Sequence, residues 1–151
     1  MEIKKYQPDH TSALVELWYE ASVKAHHFIP AAFWEQHKAQ MAQVYLPNSR
    51  TFVAFRGEVP AGFISMSGNN LAALFVSPEL QGMGIGSRLL DLVKANYMEL
   101  HLKVYTKNGS AVQFYLKQGF VPVAEDTDEA TGEMEISMSW NAPGQFPGLK
   151  S

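Results

Sequence analysis

With 151 residues, the chain is the size of one domain that buries about two thirds of its unfolded surface, so a core can form without covalent staples. It has no cysteine, which excludes disulfides, thiolate metal sites and a cysteine nucleophile and fits a reducing, cytoplasmic setting. The 12 basic and 15 acidic residues give a net charge of −3 with no Lys/Arg block to grip a nucleic-acid backbone, and no apolar stretch approaches the ~20 residues that span a bilayer. Neither nucleic acid nor membrane is expected as a partner.

In chain order, MEIKKY reads as a short strand, ended by Pro8-Asp9, with Asp9 or Thr11 placed to cap a helix. Leu14, Leu17, Trp18 and Ala21 then recur at the spacing of one buried helical face. AHHFIP interrupts, Pro30 suits a first helical position, and Phe33, His37, Met41 and Val44 predict a second helix running to Leu46-Pro47-Asn48. The period then changes. TFVAF (51–55), AGFISMS (61–67) and LAALFV (71–76) are short apolar runs divided by the turn compositions RGEVP and GNN, which predicts three hairpin-linked strands.

Beyond a glycine-rich stretch, Ile85, Leu89, Leu92 and Val93 trace a third helix, and LHLKVY (100–105) alternates as a strand. NGSAVQFYLKQGF predicts a helix capped by Asn108 or Ser110, with Gly119 relieving a left-handed C-terminal position. Strands near 120–124 and 133–140 close the fold, residues 1–140 form the single domain, and 141–151 are expected to be a frayed tail. The order β-α-α-β-β-β-α-β-α-β-β belongs to the α/β class, a mixed sheet with one βαβ crossover inside an otherwise antiparallel set.

The stretch QGMGIGSRLL (81–90) carries the chemistry, with three glycines in five positions before an apolar-rich run. A helix start presents about four unpaired N–H groups and a partial positive charge, and glycines let those amides approach an anion closely; a tight strand-to-helix turn is the plainer purpose for the same residues. The dinucleotide spacing GxGxxG fails because Ser87 or Leu89 stands where its third glycine belongs, and no GK[ST] follows for a P-loop. This weighs against a dinucleotide-dependent oxidoreductase.

What fits is QxxGxG, with Gln81, Gly84 and Gly86 directly after LAALFV and SPEL. Here the chain resembles the GCN5-related N-acetyltransferase (GNAT) family, marked by [QR]xxGxG[GA] after a bulged strand; Ser87 departs from the last position but is small. Downstream, Val104, Asn108, Ala111, Phe114-Tyr115 and Gly119-Phe120 resemble the second block of that family. The resemblance is specific over roughly residues 50–122 and implies an N-acetyltransferase fold with acetyl-CoA as donor and no metal. It also implies that Gly82, Met83, Gly84, Ile85, Gly86 and Ser87 hold the pyrophosphate through backbone amides, and that Leu74, Phe75 and Val76 pair with the pantetheine amides like an added strand. An amide at a bulge near Phe75 is then aimed at the thioester carbonyl, where negative charge develops. Asn108 and Ala111 border the pantetheine arm, although Asn108 serves equally well as a plain helix cap.

Tyr115 is the residue this resemblance assigns to proton donation toward the departing thiolate; from spacing alone it reads more readily as a core or rim tyrosine. A general base is missing from the expected place, since NNLAALFV holds no Glu, Asp or His. The resemblance implies that the turn and second helix line the acceptor side, which makes His26, His27 and Glu35 candidates for the base and His26, His27, Phe28 and Asn70 candidates for substrate contact, with a water relay through Asn69 or Asn70 as another route. His26, His27 and His37 lack the i, i+4 pairing of a metal site. Phe28, Phe33 and Trp34 read as core more readily than as an acceptor pocket, and Glu133 and Glu135 as a solvated face. The sequence therefore predicts acetyl transfer to a primary amine, of a small molecule or a peptide, by direct attack in a ternary complex. The alternative is a non-catalytic acyl-CoA sensor of the same fold. The acceptor and the oligomeric state, a homodimer included, are open at this stage.

Overall fold

The computed structural model describes residues 1–144. In chain order the elements are β1 (Glu2–Lys5), α1 (Thr11–Ala25), α2 (Ala31–Gln36), β2 (Arg50–Arg56), β3 (Val59–Ser67), β4 (Asn70–Val76), α3 (Ile85–Lys94), β5 (Glu99–Tyr105), α4 (Gly109–Lys117), β6 (Val121–Thr127) and β7 (Met134–Asn141). This is the strand and helix order expected from the sequence. The chain divides into two compact units, Met1–Leu90 and Asp91–Ser151.

In the first unit, β1 to β4 form an antiparallel meander: Ile3 pairs with Ala54, Val53 with Phe63, and Phe63 with Phe75. Its strands are apolar where they meet the core, with Val53, Ala54, Phe63, Ile64 and Met66 buried. Leu14, Leu17, Trp18 and Ala21 are all buried on α1, which lies against β3 and β4. Each large apolar side chain so placed contributes roughly 1.5–3 kcal/mol. A cross-strand pair of buried hydroxyls, Thr51 and Ser65 at 2.7 Å, satisfies the polar atoms this core encloses.

One predicted element differs. The second helix is not continuous: α2 ends at Gln36, a single turn covers Lys38–Gln40, a π-turn Met41–Tyr45, and a last turn Leu46–Asn48. At the first break, His37 leaves helical geometry (φ −97°, ψ 1°) and its Nδ1–H donates to the Phe33 carbonyl at 2.6 Å, competing with the backbone ladder. At the second, Pro47 has no N–H and its ring crowds the carbonyl four residues back, so the ladder widens to the i→i+5 bond from Leu46 N–H to Met41 O. Val44, expected on the buried face, is exposed in consequence.

In the second unit β7 pairs on one side with β5, Leu100 opposite Trp140, and on the other with β6, Val121 opposite Ser139. Leu100, Leu102 and Val104 alternate inward along β5, the period-2 pattern that identified it as a strand. Of the expected tail 141–151, Asn141 is the last residue of β7 and residues 145–151 lie outside those described.

Candidate active site

β4 leads to the glycine stretch through a 3-10 turn, Pro78–Leu80, and the Gln81 side chain donates from Nε2 to the Val76 carbonyl at 3.2 Å, tying the loop back to the strand. Gly82 and Gly84 both take φ +83°, a left-handed conformation that side chains disfavour. A Cβ built on either meets nothing within 4 Å. Packing within the protein therefore does not demand glycine there; backbone conformation does, and bare amide surface facing open space results. Met83 between them is exposed. Gly84 O accepts the first helical bond of α3 from Arg88 N–H at 3.1 Å, so Ile85, Gly86 and Ser87 occupy the first turn, at the positive end of the helix. Ile85 is buried and anchors that turn, whereas Gly86 is helical and half-buried.

Leu74, Phe75 and Val76 are half-buried on β4, opposite Ile64, Phe63 and Gly62. The bulge expected near Phe75 is not found on this side of the strand: the register is regular from Ala73 to Val76 and shifts at Ala72. An extra unpaired residue is tolerated best where its side chain is small and exposed, and Ala72 is both.

Asn108 caps α4, its side chain accepting from Ala111 N–H at 3.4 Å, and half-buried Ala111 stands on the first turn. The far end is closed by a Schellman arrangement: Phe120 N–H reaches Tyr115 O at 3.0 Å, Gly119 N–H reaches Leu116 O at 3.1 Å, and Gly119 takes φ +94°. The Phe120 ring packs on Tyr115 with centroids 5.5 Å apart, the contact that accompanies this motif. Lys94 Nζ binds the Gln118 carbonyl at 2.5 Å and lies over Trp140, fixing the same helix end. The GF pair thus has a physical reason, which is to stop the helix and clamp the ring of Tyr115. Tyr115 is buried, and burial raises its phenol above the ordinary value, keeping it protonated at neutral pH.

The acceptor-side candidates separate. His26 is buried between Trp34 (5.2 Å) and Phe28 (5.8 Å), and desolvation lowers its pKa to about 4, so it is neutral at pH 7. Ser22 Oγ, one turn earlier on the same α1 face, and Trp34 Nε1 are buried without a hydrogen-bond partner among the described residues. His27 is exposed beside half-buried Phe28, and Asn70 is exposed at the start of β4. Glu35 pairs with Lys38 at 3.1 Å. Glu133 pairs with Lys107 at 3.1 Å, while the Glu135 carboxyl is raised by burial and then by the Asp128 charge. Asp128 accepts from Tyr105 Oη at 2.6 Å and from Thr131, organising the β6–β7 hairpin.

Two residues escaped the sequence reading. Gly62 on β3 has no room: a Cβ would come 2.9 Å from Phe75 O and 3.2 Å from Ile85 Cγ2, so its absence lets the start of α3 seat against the β3–β4 ladder. Only the three-dimensional packing reveals this. Arg56, at the end of β2, reaches the glycine loop, its Nη1 4.0 Å from Met83 Sδ. Within RGEVP it reads as turn composition alone.

A family model described as "Acetyltransferase (GNAT) domain" matches residues 7–142. The peptidyl-lysine N-acetyltransferase YiaC of Escherichia coli is 35% identical over 139 residues, covering 91% of this chain and 95% of its own. The peptidyl-lysine N-acetyltransferase YjaB of E. coli is 29% identical over 90% of this chain and 87% of its own length. The solution structure of apo YjaB superposes with a TM-score of 0.81, 24% identity and coverage of 93% of this chain and 97% of that one. The PaiA N-acetyltransferase of Thermoplasma acidophilum, solved in complex with coenzyme A, gives a TM-score of 0.78 at 22% identity over 93% and 98% of the two chains. The chain belongs to the GNAT family of acetyltransferases and is an enzyme of that class.

Proposed function

We propose that the protein transfers the acetyl group of acetyl-CoA to a primary amine, and that the acceptor is a lysine side chain in a peptide or protein. The observation that carries the donor reading is the pair of left-handed glycines, 82 and 84, which face open space at the start of α3 and leave backbone amides there uncovered by side chains, the surface an anion such as a diphosphate takes. The lysine reading is supported by the names of YiaC and YjaB, each related to this chain over nine tenths of its length.

When bound, acetyl-CoA supplies a thioester as activated acyl donor. The amides of residues 82–87 bind its pyrophosphate, Gln81 holds the loop in place, and Leu74, Phe75 and Val76 of β4 pair with the pantetheine amides. Asn108 and Ala111, at the start of α4, are the residues proposed to contact the same arm. Tyr115 gives its hydroxyl to the sulfur. Full proton transfer from an ordinary phenol to a thiolate of parent pKa near ~8.5 is uphill by about 2 kcal/mol, and burial adds to that. Tyr115 therefore acts first as a hydrogen-bond donor that stabilises the developing thiolate. With no cysteine in the chain, an acyl-cysteine relay is excluded, which favours direct attack in a ternary complex. His26, neutral and enclosed by aromatic rings, shapes the α1–α2 turn, whereas His27, Phe28 and Asn70 are the residues offered to the acceptor.

The test is release of free thiol from acetyl-CoA across an amine panel: a blocked lysine peptide, a peptide with only its α-amine, a polyamine and an aminoglycoside. Turnover highest with the lysine peptide is expected. Turnover only with the small amines overturns the acceptor class, and no turnover with any amine overturns the proposal as a whole.

A further inference from the structure

The loop expected to hold a multiply charged anion contains no charge of its own, since residues 82–87 read Gly-Met-Gly-Ile-Gly-Ser. Backbone amides contribute only partial charges. Two exposed arginines adjoin this stretch: Arg88, which follows it on α3, and Arg56, which arrives from β2. Arg56 reaches the loop tip through Nη1 and the Met83 thioether at 4.0 Å, and no carboxylate lies within ion-pair distance of it among the described residues. The acids nearest in sequence are turned to other uses or left solvated. Glu58 is exposed in the β2–β3 turn, and the Glu79 carboxyl is held below its usual range by its own backbone N–H and then by the Ser77 hydroxyl.

We propose that Arg56 is a phosphate-binding residue of the donor site, its guanidinium taking a phosphate oxygen of the coenzyme seated at the Gly82–Ser87 loop. The inference rests on the donor reading above and extends it to a residue outside the glycine motif. A thioether is a weak acceptor, so the guanidinium gives up little on leaving Met83. A phosphate oxygen offers it a charge-assisted, often bidentate bond. Glycines on either side of Met83 leave that approach open, with nothing within 4 Å of either Cβ position. Two phosphates of the coenzyme are within the proposal's chemistry, the pyrophosphate and the 3′-phosphate, and the ligands below distinguish them.

Calorimetric titration of acetyl-CoA and acetyl-3′-dephospho-CoA into wild type, Arg56→Gln, Arg56→Lys and Lys5→Gln tests it. Lys5 pairs with Phe52, at the other end of the β1–β2 ladder, and its variant removes the same unit of charge. Arg56→Gln should weaken acetyl-CoA binding about tenfold, Arg56→Lys should recover part of it, and Lys5→Gln should change nothing. The defect should narrow as ionic strength rises. An equal loss with both ligands assigns Arg56 to the pyrophosphate, and a loss with acetyl-CoA alone assigns it to the 3′-phosphate. Unchanged affinity in Arg56→Gln, or an equal loss in Lys5→Gln, overturns the inference while the donor reading stands. Failure of the wild type to bind either ligand overturns both.

Discussion

Tyr115 sits where the Schellman closure of α4 and the ring of Phe120 leave it little freedom, which suits the proton-donor role proposed for its hydroxyl. Tyr115→Phe keeps the ring packing and removes only the hydroxyl, so kcat should fall by more than about tenfold while Kd for acetyl-CoA changes little. An equal kcat would remove Tyr115 from the chemistry. His26 makes a different prediction, on stability. Its folded pKa of about 4 lies below the unfolded value near 6.5, so the unfolded state binds the extra proton as pH falls. The stability associated with neutral His26 is complete above pH ~6.5 and is lost as pH falls toward 4, by about 2 kcal/mol between pH 7 and pH 5. Urea unfolding of wild type and His26→Gln at both pH values checks this, the variant showing a shallower loss. The clamped position of Tyr115 was legible because its neighbours within five residues, Ala111 to Phe120, mark the helix and its stop locally. The burial of His26 was not, because it depends on Trp34 and Phe28 folding back across the α1–α2 turn.

At the scale of elements, the glycine loop and the β3–β4 ladder make opposite demands on glycine, and substitution separates them. Gly84→Ala enters open space at φ +83°, so it should cost only about 1 kcal/mol of stability but weaken acetyl-CoA binding more than about tenfold by covering the amides. Gly62→Ala has an ordinary backbone and no room, so its cost should be larger, about 1–3 kcal/mol, through forced separation of β3 from the Phe75 carbonyl. Thermal unfolding with and without acetyl-CoA reads both quantities, and a Gly84→Ala protein that binds normally would contradict the cradle. The strands were legible element by element because each apolar run ends in turn residues, and the cap at Asn108 and the stop at Gly119 were legible as single positions. The break after α2 was not: Phe33, His37 and Met41 keep helical spacing, while the disruption comes from a side-chain bond of His37 and from the geometry before Pro47. The register shift at Ala72 was hidden for a related reason, since strand register depends on the partner strand as well as the strand itself.

Across the whole molecule, order of elements and two short motifs sufficed to identify the family, because GNAT signatures sit at the backbone positions that the fold itself constrains: a glycine loop opening α3 and a capped, glycine-stopped α4. The acceptor was not legible, since the residues proposed to face it, exposed His27 and Asn70 among them, follow no fixed spacing. No helix among the described residues is long and apolar enough to cross a membrane. The central claim is donor-to-lysine transfer without a covalent enzyme intermediate. Its most direct test is incubation with acetyl-CoA and an N-terminally blocked lysine peptide, followed by mass spectrometry of peptide and protein with parallel titration of free thiol. One acetyl group on the lysine is expected for each thiol released, with no thiol and no acetylated protein when the peptide is omitted. Stoichiometric thiol release with acetyl on the enzyme before peptide is added, or an unmodified peptide after prolonged incubation, would contradict it.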